Sequence, residues 1–86
     1  HLVVCDSVAA CQAEGGDFVQ ALAQGRFRWH EAVELSDIVA NQHPGRRSDD
    51  DIVIFKSVGL GIEDVALAAK AVEFAKARNV GRRLEL

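Results

Sequence analysis

Between Ser48 and Glu63 the chain reads SDDDIVIFKSVGLGIE, and this stretch limits the fold more than any other. Ile52-Val53-Ile54-Phe55 is a β-favouring run that is apolar on both faces, the pattern of a central strand covered on both sides. Gly59 and Gly61 supply the backbone freedom for a tight turn from strand to helix. From about Gly61 to Arg78 the period becomes helical, with Ile62, Val65, Ala69, Val72 and Lys76 forming a seam that Ala66, Ala68, Phe74 and Ala75 widen. Its alanines favour the helix and allow it to lie close against a neighbour. Glu63 and Asp64 stand at its positive end, Lys76 and Arg78 at its negative end, and Asn79 or Gly81 ends it. A buried strand leading through a glycine turn into a long helix is an α/β unit.

The first half carries the same alternation in shorter pieces. Leu2 to Cys5 is an apolar run closed by Asp6-Ser7, which predicts a buried, parallel strand and then a helix over Ser7–Glu14 capped by Asp6 or Ser7. Gly15-Gly16 break that helix, and Asp17 is placed to cap a second over Phe18–Gln24. Phe18, Ala21 and Leu22 share one face there, and Gly25 is the stop. Arg26–Glu31 holds Phe27 and Trp29 without a periodic pattern. Glu34–Ala40 reads as a short helix with Leu35, Ile38 and Val39 apolar, and His43–Asp50 is a polar loop containing the only proline, Pro44. The two strands, so far apart in sequence, need not pair and could lie in different sheets. The chain shows no internal repeat.

With 86 residues the chain forms one small domain at most, burying only about 60% of its unfolded surface. Its 49% hydrophobic content excludes a disordered chain and suggests that something else covers part of the apolar surface. That cover is either a second copy or a missing remainder. A net charge of −3 and a pI near 5.5 argue against nucleic acid. Arg46-Arg47 and Arg82-Arg83 are too short to form a phosphate groove. Cys5 and Cys11 match no metal or redox spacing, which points to a reducing cytoplasm rather than a secreted, disulfide-bonded domain. No apolar run approaches the roughly 18 residues that span a membrane, and no signal peptide is visible. A chain that begins at His1 and contains no methionine is what a processed or truncated polypeptide looks like.

Chemistry is best sought at Lys56–Gly61, where a strand ends and a helix begins. Gly59-Leu60-Gly61 mimics the start of a dinucleotide fingerprint, but its sixth position is Asp64, and Glu63-Asp64 would repel a pyrophosphate. Asp49-Asp50-Asp51 reads as a solvated loop leading into the strand rather than a cation site. His1, His30 and His43 lack ligand spacing, so no metal site is assigned. Ser57 has no evident His base, which argues against a nucleophilic role. Trp29 and Phe27 read as packing under a loop.

The segment SDDDIVIFKSVGLGIEDVA, with Pro44–Asp49 before it, resembles the C-terminal signature of the ornithine cyclodeaminase/mu-crystallin family. Leu2–Gly16 more loosely resembles the end of that family's Rossmann-type domain. Lys56 is closer to the mu-crystallin-like ketimine reductases and related dehydrogenases, since ornithine cyclodeaminases proper tend to carry an acidic residue there. The resemblance implies that residues 1–43 are the C-terminal part of a Rossmann-like nucleotide domain. Residues 44–86 would then be a loop, strand and long helix of the substrate and dimerisation domain. It also implies that Ser57 and Gly59 meet the nicotinamide end of NAD or NADP, and that Val58 lines the pocket for an amino acid or cyclic imine.

The family's glycine-rich cofactor loop, substrate-binding Arg and Lys and catalytic Asp precede the matched region and have no counterpart here, so no catalytic residue is assigned. The resulting expectation is an α/β piece of an NAD(P)-dependent oxidoreductase, inactive alone and without tight cofactor binding. Its partners would be its missing N-terminal part or a second copy of itself. The alternative is a stand-alone, non-catalytic self-association module derived from such an enzyme.

Overall fold

The computed structural model describes residues 1–86. In chain order the elements are β1 (Leu2–Cys5), α1 (Val8–Glu14), α2 (Gly16–Ala23), a 3-10 turn (Trp29–Glu31), β2 (Ala32–Glu34), α3 (Leu35–Val39), β3 (Val53–Lys56) and α4 (Gly61–Ala77). The three strands form one parallel sheet in the order β2-β1-β3. The strands that the sequence left free to lie apart therefore pair directly, with Leu2 opposite Val53 and Cys5 opposite Lys56. The ladder continues past both ends, since Leu2 N donates to Ile52 O at 3.0 Å and Asp6 N to Lys56 O at 3.1 Å.

Local chemistry accounts for most boundaries. Ser7, not Asp6, caps α1: its Oγ accepts from Ala10 N at 3.2 Å. Gly15 rather than Asp17 stands at the start of α2, and Asp17 lies inside its first turn. The Arg26–Glu31 segment, unpatterned in sequence, is organised by rings. Phe27 stacks on Phe18 at 5.0 Å and meets Trp29 edge-on at 5.1 Å, while Phe18 and Trp29 are 5.8 Å apart. This is the packing under a loop expected for Phe27 and Trp29, with Phe18 of α2 as the third ring. Strand β2 was not foreseen. Only three residues long, it is defined by pairing with β1 rather than by its own pattern.

The core is small and lies around the central strand: Val4, Cys5, Cys11 and Phe27 are its buried hydrophobic residues. In contrast, α4 is exposed along nearly its whole length, including Ile62, Val65, Leu67, Val72 and Phe74. The molecule is accordingly elongated, measuring 54 × 31 × 20 Å with a radius of gyration of 17.5 Å. A compact chain of this length would have about 12 Å. No helix is long and apolar enough to cross a membrane.

Candidate functional site

The strand order determines where a site can form. From the central β1 the chain moves out to β2 on one side, then returns to add β3 on the other. In open α/β sheets such a reversal leaves a crevice at the carboxyl ends of the two strands that flank it. Here those ends are Cys5-Asp6 and Lys56-Ser57, one strand apart in the ladder.

Asp6 stands between these two strand ends and is only 7% exposed. Its Oδ2 accepts from Ser57 Oγ at 2.7 Å, Val58 N at 3.1 Å and Gly59 N at 3.3 Å. Its Oδ1 accepts from Ser7 N at 2.8 Å and lies 3.7 Å from Cys11 Sγ. Burial is the largest influence on this carboxyl and pushes its pKa up. The Ser57 hydroxyl and the amides of Ser7, Val58 and Gly59 together outweigh burial and hold Asp6 below the ordinary carboxylate range. Gly59 closes the turn at φ +86°, a conformation that side chains with a Cβ rarely adopt.

The other two strand ends are tied down in the same way. Glu34, at the end of β2, accepts from Val8 N at 2.9 Å and so holds the first turn of α1. Lys56 Nζ lies 3.1 Å from Asp17 Oδ2 and joins the end of β3 to α2. That hydrogen bond is the main cause holding the Asp17 carboxyl below its usual range. Behind the site, burial, followed by the Cys11 hydrogen bond, pushes the Cys5 thiol up to about 12. Cys11 is also raised, chiefly by burial, and both cysteines are free.

The structure thus brings Ser57, Val58 and Gly59 together on one carboxylate. Ser57 and Gly59 face solvent and Val58 is half-buried. As a site residue Asp6 escaped the sequence reading, which offered it only as a helix cap, because three of its five partners lie 51 to 53 residues away. The one available signal was an acidic residue at the carboxyl end of a buried strand. Elsewhere, Asp51 accepts from the amides of Arg47 and Ser48, which closes the loop before β3. His43 is half-buried, its Nδ1 accepting from Gly45 N at 3.0 Å. A hollow of about 590 Å³ lies about three turns along α4 from the Ser57–Gly59 turn, between Val72, Lys76, Val80 and Arg83.

The chain is similar in sequence to several known proteins. The chain is 37% identical over 84 residues to the delta(1)-pyrroline-2-carboxylate reductase of Bacillus cereus, covering 96% of this chain and 26% of that protein. It is 37% identical over 71 residues to the iminosuccinate reductase of Paracoccus denitrificans, covering 83% and 22%. It is 35% identical over 72 residues to the alanine dehydrogenase of Archaeoglobus fulgidus, again covering 83% and 22%. The chain therefore spans about a quarter of the length of these curated relatives. The model of the ornithine cyclodeaminase/mu-crystallin family matches residues 2–79, including all seven strands and helices and the Asp6-bound turn, and the chain belongs to that family.

Proposed function

We propose that the chain is the C-terminal part of an NAD(P)-dependent oxidoreductase acting on an amino acid or a cyclic imine. The observation that carries this reading is the turn at Ser57–Gly59, fixed by a buried carboxylate at the reversal point of a parallel sheet. In this reading Ser57 and Gly59 border the nicotinamide and Val58 borders the substrate. A bound nicotinamide would supply or accept the hydride. The residues of this chain form one wall, orient what lies against it and exclude water. They offer no acid or base to the reaction, because Asp6 is occupied by five donors and both thiols are buried. The phosphate end would rest on residues outside this chain, since Glu63 and Asp64 occupy the first turn of α4. In this reading residues 1–43 end the nucleotide domain and residues 44–86 lead into the substrate and dimerisation domain, with β3 of the second segment pairing on β1 of the first.

The test is a hybrid in which this chain replaces the matched quarter of the Bacillus cereus reductase. Reduction of its cyclic imine with NADH or NADPH is expected. A folded hybrid that binds neither nucleotide would overturn the reading.

The exposed apolar length of α4 favours a second reading, a self-associating module without chemistry of its own. Its partner would be a second copy of this chain.

A further inference from the structure

A serine hydroxyl has one proton to donate and two lone pairs with which to accept. At Ser57 the proton goes to the Asp6 carboxylate, 2.7 Å away. One lone pair is taken by Gly59 N, at 3.1 Å from Ser57 Oγ. A single lone pair remains, on a residue that is exposed to solvent. The amides of Val58 and Gly59 also point at Asp6, so neither is free to meet an anion beside Ser57.

We propose that Asp6 is a positioning residue that makes Ser57 a hydrogen-bond acceptor only, so that the ligand group meeting Ser57 carries an N–H. Resting on the oxidoreductase reading, this group is either the carboxamide of the nicotinamide or the nitrogen of the substrate. A carboxylate, a phosphate or a carbonyl oxygen is refused, because it would find no proton at Ser57 and a buried negative charge directly behind it.

The clamp is tested in the 86-residue chain by following its amide resonances from neutral pH into acid. The signals of Val58 and Gly59 should move together with protonation of Asp6, and Asp6→Asn should abolish that movement. Signals that ignore Asp6 would overturn the clamp.

The ligand is tested in the hybrid enzyme with NADH and its 3-acetylpyridine analogue, which keeps the carbonyl but has no N–H on that group. If the carboxamide is the donor, Ser57→Ala weakens NADH by about 5- to 10-fold, the worth of one hydrogen bond, and leaves the analogue unchanged. If the substrate nitrogen is the donor, both nucleotides hold and KM for the cyclic imine, bound as its protonated N–H form, rises by a similar factor with kcat retained. Ser57→Thr, which keeps the hydroxyl, restores affinity in either case. Equal weakening of NADH and the analogue would mean that Ser57 donates, and would overturn the proposal. A folded hybrid that binds neither nucleotide overturns the oxidoreductase reading and the ligand assignment with it, while the clamp is decided separately by the amide signals.

Discussion

Asp6 is the residue on which the site depends, and its charge state links stability to acid. Its folded pKa lies below the unfolded value, so its contribution is fully present above the unfolded pKa. It is lost as pH falls through the folded value. Urea unfolding at mildly acidic pH and again below the ordinary carboxylate value of 3.8 should show this loss. Asp6→Ala should lower stability by about 3 kcal/mol at neutral pH and remove most of the acid dependence, because it leaves several buried donors unpaired. Unchanged acid sensitivity in that variant would assign the dependence to other carboxyls. The sequence showed Ser57, Val58 and Gly59 as a turn between strand and helix, but not what holds the turn. Local pattern reports neighbours three or four residues away, and the Asp6–Ser57 bond crosses 51.

Among the elements, β1, β3 and α4 were legible because each has a strong pattern of its own, although β3, read as a central strand covered on both faces, lies at the sheet edge with Ile54 and Phe55 exposed. Strand β2 was not, because Ala32-Val33-Glu34 carries little pattern and becomes a strand through β1. The helix α4 held more than its seam revealed. Leu67, Ala71 and Phe74 form a second apolar stripe, at i, i+4 and i+7, opposite Ile62, Val65, Ala69 and Val72. A helix apolar on opposite sides is built to lie between two neighbours. In dilute solution of this chain, Leu67→Ser and Val72→Ser should each shift the unfolding free energy by less than about 0.5 kcal/mol, since both side chains are exposed. Val4→Ala, in the buried centre of β1, should cost about 2 kcal/mol. Large losses from both serine variants would show that α4 packs on its own sheet in solution.

At the scale of the molecule, the accessible surface is 7,031 Å². A compact protein of 9.3 kDa exposes about 5,000 Å², so roughly 2,000 Å² is in excess. That excess is more than twice the roughly 800 Å² that each partner contributes to a standard protein–protein interface. Light scattering of the isolated chain should therefore show association that strengthens with concentration and is reduced by paired substitutions on the two stripes of α4. NADH should bind it weakly or not at all. A strictly monomeric species would count against self-association and leave a covalent neighbour as the natural cover for α4.

The central place of β1 also has a consequence in time. It is made before either of its neighbours, and Asp6 must wait for Ser57, 51 residues further along the chain. At ordinary rates of synthesis that interval lasts about 3 to 10 s. Until then Asp6 is an ordinary hydrated carboxylate and one edge of β1 is open to any strand that passes. The bond that shapes the site is thus also the signal that the sheet has been completed in the right order.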